Sequence, residues 1–444
     1  MKYKIVIMLV IVLFVFGFLW LGSVEEEGIG EVEVFEEVLI PEEVSKELVL
    51  YFVGDVMLSR GVAKKMEKFD DWAWPFRKVG EFLSKADLTF GNLEGPLSDK
   101  GIEVGNKYSF RVDPRALEGL ELAGFDVMSI ANNHILDWGV LAREDTIERL
   151  EGVGIKPVGE GVVLVDDVSI GFSAFTYPLP KSVLLPVADL NIVSMHLGVE
   201  YERFSGSEQE EFAKMVIDQG ADLVVGHHPH VRQEIGKYKG KYIIYSLGNF
   251  VFDQSWSEET MKGWLGKVVV KDGEIVSVDP IEVQINQDFQ PFVPLYYSVD
   301  KDNSLGSYYP DDLVSVRDIK VRKVVYSDLM EMLDSRSDLK LISGFRSFDY
   351  QKGLFEKGDP LYIVPPGHSE HQLGTTIDFG IGDSFIDLTE KFSETEVGKW
   401  LAREAFKYGF VMSYPEGNDQ YGFEPWHFRW FGKDRAREMV GSGY

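Results

Sequence analysis

Two stretches near the end of the chain decide how its last third is interpreted: Gly367-His368-Ser369-Glu370-His371-Gln372-Leu373-Gly374-Thr375-Thr376-Ile377-Asp378 and Glu424-Pro425-Trp426-His427. The first places a histidine and an aspartate seven residues apart, and the second adds a histidine with a carboxylate three residues before it. Two imidazoles and one carboxylate can hold Zn²⁺ and leave a coordination position for water, whose proton a further glutamate can accept. The spacing therefore predicts a hydrolytic zinc site with the metal ligands His371, Asp378 and His427 and the general base Glu424.

Three more polar residues extend this predicted site. Arg346 can bind a substrate carboxylate or a developing oxyanion through two parallel hydrogen bonds, so we expect it to be catalytic. Gln351 and Ser369 are expected to contact the substrate or to orient the groups that do. Two alternatives stay open: the histidines and carboxylates could form a structural zinc site, and Arg346 could be an ordinary salt-bridge partner.

These motifs also carry a family resemblance. Ser343-Gly344-Phe345-Arg346-Ser347 with a following Gln, then Ser-x-His-x-x-Gly-x-x-x-Asp, then Glu-Pro-Trp-His, resemble in this order the zinc D-alanyl-D-alanine carboxypeptidases of the VanY type. The resemblance covers about residues 295–441 and implies a small α+β zinc-peptidase domain, residues 295–444, that hydrolyses cell-wall peptides. Thr375-Thr376 departs from the family pattern, which would change the pocket wall but not the ligand set.

Composition limits the other possibilities. A chain of 444 residues predicts two globular domains. Its 45 Lys and Arg against 73 Asp and Glu give a net charge of −28, which argues against a nucleic-acid partner. Without cysteine, every metal-binding or nucleophilic role falls to histidines and carboxylates. The eight histidines lie in two clusters, so we expect two separate metal-type sites.

The N-terminus predicts an attachment to a membrane. Lys2 and Lys4 precede an apolar run from Ile5 to Leu21, so residues 1–22 are expected to be an uncleaved signal anchor, or alternatively a signal peptide whose cleavage would secrete the protein. The flanking lysines predict that the rest of the chain is extracytoplasmic. Residues 23–47 are rich in glutamate and are expected to form a solvated acidic stalk.

From residue 48 to 290, strand-like and helix-like runs alternate, which predicts a layered α/β domain. Polar residues follow successive strand-like runs, and such loops build the sites of α/β sheets. Carboxylates, an asparagine and histidines suit one or two divalent metals and phosphoester hydrolysis. The candidate residues of this second site are Asp55, Glu94, Asn133, His134, His196, His228 and His230.

Six motifs of this region resemble the CapA capsule-synthesis family, which is related to calcineurin-like metallophosphoesterases. They include Gly54-Asp55-Val56-Met57, Asn92-Leu93-Glu94-Gly95 and Gly226-His227-His228-Pro229-His230. The resemblance implies a possible divalent metal, with His134 as general acid if the site is active. Met57 stands where the phosphoesterases have a histidine ligand, so a binding or assembly role with a vestigial site is the alternative.

Together these features predict a membrane-anchored zinc carboxypeptidase fused to a CapA-like domain, with a linker around residues 286–304. The ligand motifs specify the hydrolytic machinery and not the pocket. An L,D-carboxypeptidase and a peptidase for γ-linked glutamate polymer therefore remain alternatives to a D,D-carboxypeptidase. A non-catalytic protein that binds or assembles surface polymers is the alternative from another class.

Overall fold

A computed structural model describes residues 47–357, 363–418 and 421–442. The predicted membrane segment, residues 1–22, and the predicted stalk up to residue 46 lie outside the described residues. In the described ranges, no helix combines the length and apolar composition needed to cross a bilayer. All described residues belong to one compact unit, Lys46–Tyr444.

The first region of this unit alternates strands and helices. Its strands are β1 (Glu47–Val56), β2 (Leu88–Leu93), β3 (Val127–Ser129), β4 (Lys156–Val158), β5 (Glu160–Val165), β6 (Val168–Phe175), β7 (Leu190–His196), β8 (Leu223–His227), β9 (Ile235–Tyr238), β10 (Lys241–Ile244), β11 (Asn249–Val251), β12 (Lys262–Lys271), β13 (Glu274–Ile285) and β14 (Pro291–Phe292). Its helices are α1 (Arg60–Phe69), α2 (Gly80–Leu83), α3 (Leu117–Leu122), α4 (Gly139–Gly152) and α5 (Ser207–Asp218).

These strands form two mixed sheets. One has the order β14-β13-β12-β1-β2-β3-β4, with β11 also paired to β1, and the other has the order β5-β6-β7-β8-β10-β9. Neighbours among β1 to β4 are parallel, as are neighbours among β6 to β8, so carboxyl ends of several strands meet at one edge of each sheet. The sheets pack face to face, where the buried rings of Phe90 and Phe172 stack 5.5 Å apart.

Helices cover both outer faces of this pair of sheets. Apolar side chains of α1, α3 and α4, among them Met66, Leu120 and Leu150, pack on the first sheet. Phe212 and Val216 of α5 pack on the second. The result is the layered α/β arrangement expected from the alternating pattern, because each sheet buries one face on the other sheet and one face under helices.

The second region is smaller. It contains β15 (Leu313–Val316), β16 (Ile319–Arg322), β17 (Lys340–Ser343), β18 (Thr376–Gly380), β19 (Phe410–Met412) and β20 (His427–Trp430), with helices α6 (Tyr326–Ser335), α7 (Phe348–Lys357), α8 (Glu396–Glu404) and α9 (Lys433–Gly441). An antiparallel sheet of order β17-β18-β20-β19 carries the core, and β15 and β16 form a separate hairpin. Apolar residues of α6 and α8 pack on this sheet, which gives the expected α+β architecture.

The segment expected to be a linker is packed instead. Phe292 pairs within β14 and, with Tyr297 and Val299, joins a buried cluster that also contains Leu305 and Leu373. Burying these rings and branched side chains favours a fixed path for the chain. The first region therefore passes into the second through an ordered segment.

Two candidate metal centres

Strand pairing builds the centre of the second region. Asp378 in β18 lies directly opposite His427 in β20. His371 lies in a 3₁₀ turn, Glu370–Leu373, which ends at Gly374 with a φ of 72° just before β18 begins. The ligand atoms of His371, Asp378 and His427 all lie within 4.8 Å of one another, and the three side chains are buried. The structure thus brings together the three residues predicted to be metal ligands.

His371 is oriented as a metal ligand would be. Its Nδ1 lies 2.7 Å from the carbonyl oxygen of Gly344, which can only accept, so Nδ1 carries the proton and Nε2 the lone pair. Burial, followed by the charge of Arg346, lowers the pKa of His371 to about 4, so the ring is neutral at pH 7. Its Nε2 has no hydrogen-bond donor and faces Asp378 Oδ2 at 3.1 Å. A lone pair against a carboxylate is unfavourable unless a cation lies between them, so these residues fit a metal ion.

His427 lies between two carboxylates. Its Nδ1 is 3.2 Å from Asp378 Oδ1, and its Nε2 is 3.1 Å from Glu370 Oε2. Burial lowers the pKa of His427, but its contacts with these two carboxylates raise it to about 10 overall. The surroundings of this ring therefore favour a positive charge, as a metal-binding pocket must.

The remaining predicted residues line a cavity of about 240 Å³ beside these ligands. Glu424 Oε2 lies 3.4 Å from His427 Nδ1, and burial raises the pKa of Glu424, which suits a general base. Arg346 donates from Nη2 to Asp378 Oδ2 at 3.1 Å and from Nη1 to Gln351 Oε1 at 3.4 Å. Gln351 and Ser369 are buried in the cavity wall.

Sequence reasoning missed Glu370. Its carboxylate contacts His427 and also accepts a hydrogen bond of 2.9 Å from Arg429 Nη1. Burial raises the pKa of Glu370, but the charge of Arg429 and the bond to His427 lower it to about 2. The ionised Glu370 therefore hydrogen-bonds Nε2 of His427 and orients the ring so that its Nδ1 faces Asp378. Glu370 stands within the first motif, beside His371, which could have marked it as a candidate. The motif does not show in which direction the side chain of Glu370 points.

In the first region, strand ends from both sheets meet. Asp55 at the end of β1 lies opposite Asn92 in β2, and His196 at the end of β7 lies opposite His227 at the end of β8. Asn92 Nδ2 donates to Asp55 Oδ1 at 2.8 Å and to Glu94 Oε2 at 2.6 Å. The ligand atoms of Asp55, Glu94 and His196 lie within 4.8 Å of one another in a buried cluster. This convergence follows from parallel strands ending at a common edge.

Several polar atoms of this cluster have no hydrogen-bond partner. They include Glu94 Oε1 and both ring nitrogens of His227. Burial, followed by the charge of Asp55, raises the pKa of Glu94 well above its usual value. Since buried polar atoms are normally paired, this set fits a cation that would satisfy the carboxylate and imidazole together. His227, 3.5 Å from Asp55 Oδ1, was absent from the predicted site residues.

The other predicted residues surround this cluster. His230 Nδ1 lies 3.1 Å from Asp55 Oδ2, and the ring of His228 lies 4.8 Å from that of His196. Asn133 Oδ1 lies 2.8 Å from His196 Nε2. His134 lies further out, with Nδ1 2.8 Å from Asp137 Oδ2 and Nε2 4.0 Å from Glu94 Oε1. His228 and His230 have φ values of 98° and 58°, which are uncommon outside glycine and are typical of functional sites.

Comparisons with known proteins match the two regions separately. A model of the bacterial capsule synthesis protein family PGA_cap matches residues 49–170 and 182–254, and one of the D-alanyl-D-alanine carboxypeptidase family VanY matches residues 318–433. The capsule biosynthesis protein CapA of Bacillus anthracis is 29% identical over 329 residues, which cover 62% of this chain and 78% of that protein.

Two carboxypeptidases resemble the second region. The putative carboxypeptidase YodJ of Bacillus subtilis (strain 168) is 34% identical over 30% of this chain and 58% of its own length. A D-alanyl-D-alanine carboxypeptidase of Enterococcus faecium is 39% identical over 23% of this chain and 33% of its own length. The second region is thus of the metallocarboxypeptidase class. The whole chain joins a CapA-family region to a VanY-type carboxypeptidase region.

Proposed function

We propose that the second region is a zinc-dependent carboxypeptidase that removes the terminal D-alanine from cell-wall peptides ending in D-Ala-D-Ala. The observation that carries this proposal is the convergence of His371 Nε2, Asp378 and His427 Nδ1 on one point. This convergence lies beside a cavity that also contains Glu424 and Arg346. Three nitrogen and oxygen ligands with a free side are the arrangement of catalytic zinc sites.

Each residue has a distinct role in this mechanism. His371, Asp378 and His427 would hold the zinc ion, which supplies polarisation of the attacking water and the scissile carbonyl. Glu424 takes the proton of the attacking water on its carboxylate and passes it to the nitrogen of the leaving amino acid. Arg346 binds the terminal carboxylate of the substrate, and Gln351 keeps its guanidinium in place.

Support for a small terminal residue comes from the cavity, whose volume of about 240 Å³ is below the usual range for ligand pockets. The family description of the matching model and the name of the Enterococcus faecium relative support D-Ala-D-Ala over other peptides. A peptide with an L,D bond and γ-linked glutamate are the alternatives, and comparing initial rates on the three substrates decides among them.

The role of Glu424 is tested by Glu424→Gln, which keeps the shape of the side chain and removes the base. We expect D-alanine release from a stem-peptide analogue to fall by about 10²–10⁴-fold, with zinc content unchanged. Glu416→Gln alters an exposed glutamate earlier in the same loop and serves as the matched control. Equal rates for Glu424→Gln and the control, with zinc bound in both, would rule out this mechanism.

A second candidate function is divalent-metal binding with phosphoester hydrolysis in the first region. It is favoured by the clustering of Asp55, Glu94 and His196 and by the unpaired atoms of Glu94 and His227. A chain with His371→Ala is expected to keep one divalent metal, bound in the first region. Adding His196→Ala to this variant is expected to remove that metal. Metal binding without hydrolysis of p-nitrophenyl phosphate would favour a role in binding or assembling surface polymers.

The proposed substrate requires both regions to lie outside the cytoplasm. The apolar run after Lys2 and Lys4 supports an N-terminal anchor that would place them there. The protein of untreated cells is expected in the membrane fraction, and protease added to intact cells is expected to degrade it. Protection from the protease would contradict this location.

A further inference from the structure

A cleft lies where the two regions meet. Its volume is about 340 Å³, within the range of ligand pockets. Residues 255–258 of the first region form one wall and residues 305–309 form the other, with residues 284–287 between them. None of the residues named above at the two candidate metal centres lines this cleft, and neither proposed activity assigns it a role.

Two exposed aromatic side chains line this cleft. Trp256 is 63% exposed and Tyr309 is 52% exposed. Neighbouring rings hold them: Tyr201 lies 4.7 Å from Trp256, and Phe345 lies 4.9 Å from Tyr309, both edge to face. Because partner rings fix their orientation, these side chains present flat apolar faces at little conformational cost.

The cleft leads towards both centres. Trp256 also lines a cavity of about 250 Å³ that contains His134 and His230 of the first region. At the other wall, Gln372, next to the ligand His371, donates from Nε2 to the carbonyl oxygens of residues 306 and 308 at 2.9 and 2.8 Å. Phe345, which packs against Tyr309, directly precedes the catalytic Arg346. A polymer lying in the cleft could thus reach either centre.

The lining favours a neutral polymer. Besides the two rings, it combines uncharged polar side chains, such as those of Ser257, Asn286, Gln287 and Ser307, with apolar ones, such as Met261, Ile285 and Leu305. Its charged members, Glu258 and Lys262, have opposite signs. A protein with a net charge of −28 also repels polyanions such as glutamate polymers.

We propose that this cleft binds a neutral glycan strand, whose sugar rings stack on Trp256 and Tyr309 and whose hydroxyl and amide groups bond the polar lining. Sugar rings combine an apolar face with a polar edge, which is the combination that this lining matches. Resting on the proposed carboxypeptidase function, the bound strand is the backbone that carries the peptide to be hydrolysed, so the cleft holds the peptide near Arg346.

Binding of an N-acetylglucosamine tetramer tests the cleft independently of catalysis. By calorimetry, Trp256→Ala and Tyr309→Ala are each expected to weaken binding by about threefold to tenfold. Phe385→Ala removes a ring that is 85% exposed outside the cleft and should leave binding unchanged. Unchanged affinity in both cleft variants would overturn the proposal, as would tighter binding of poly-γ-glutamate that the same substitutions abolish.

Hydrolysis distinguishes this proposal from the carboxypeptidase function. Trp256→Ala should lower kcat/KM for a peptide attached to a glycan towards the value for the free peptide, and leave the rate on the free peptide unchanged. Equal loss on both substrates would contradict a glycan-specific cleft. Failure of the unaltered protein to cleave the free peptide would contradict the carboxypeptidase function alone, and the tetramer affinities would still decide the role of the cleft.

Discussion

Glu370 is not among the proposed metal ligands, yet its contact with His427 orients one of them. It engages Nε2 of His427, and Arg429 keeps it charged and in place. Such outer carboxylates orient the imidazole and raise its basicity. Because both Glu370 and Arg429 are largely buried, water compensates poorly for the loss of either partner.

Replacing Glu370 by glutamine is therefore expected to weaken zinc binding by about 10–100-fold, since the amide carries no charge to hold both Arg429 and His427. Competition with a chromophoric chelator measures this affinity. Glu390→Gln, at an exposed position, is the control. An unchanged zinc affinity in Glu370→Gln would contradict the positioning role.

Sequence spacing alone could select His371, Asp378 and His427 as candidate ligands, because in a chain without cysteine few residue types bind zinc. The same reasoning could not select among His227, His228 and His230. Neighbouring residues at a strand end point in different directions, so the choice depends on strand register, which the sequence does not state. His227 accordingly lies against Asp55, although only the two later histidines were predicted.

Among the secondary-structure elements, the pairing of β18 with β20 has the largest effect on the site. It places Asp378 opposite His427 and Ile377 opposite Phe428 on the core side. Pro425 disfavours a helical Glu424, so the sequence left open whether Glu424 would reach His427. A turn closed by the hydrogen bond from His427 N to Glu424 O, 3.1 Å long, brings them together.

Phe428→Ala tests this pairing because the ring is buried under the site and lies 5.9 Å from that of Phe379. The cavity it leaves is expected to lower the free energy of unfolding by about 3–5 kcal/mol. Denaturant titration followed by circular dichroism measures the loss, and the exposed Phe385→Ala should change it by less than about 0.5 kcal/mol. Equal unfolding free energies for Phe428→Ala and Phe385→Ala would show that the pairing of β18 with β20 does not depend on the packing of Phe428.

At the scale of the whole molecule, Arg322 joins the two regions. Its guanidinium lies 2.8 Å from Glu282 in β13 of the first region and 2.8 Å from Asp312 in the second. Its backbone N donates to the carbonyl oxygen of Gly374 at 2.8 Å, at the end of the turn that holds His371. Arg322 therefore contacts both the first region and the turn that carries His371, a proposed metal ligand.

Arg322→Met leaves Glu282 buried without its cation, so we expect a loss of about 3–5 kcal/mol in unfolding free energy. Calorimetric unfolding should show a lower transition midpoint. Lys320→Met, at an exposed position of the same strand, serves as the control. A midpoint equal to that of the control would mean that this ion pair does not couple the regions.

The order of the two regions could be predicted from the sequence, since each carries its own motifs. Their packing could not. The linker prediction rested on an interrupted strand and helix pattern, yet Phe292 and Tyr297 in that segment are buried. Which surfaces such apolar residues cover depends on contacts distant in sequence, such as that with Leu373.

In the proposed mechanism, the second region cleaves peptides with a zinc ion held by His371, Asp378 and His427. The most direct measurement is D-alanine release from a D-Ala-D-Ala peptide as zinc is titrated into chelator-treated full-length chain carrying His196→Ala. Release is expected to rise to a plateau at one zinc per chain and to be absent when His427→Ala is added. One tightly bound zinc per chain without release of D-alanine would contradict it.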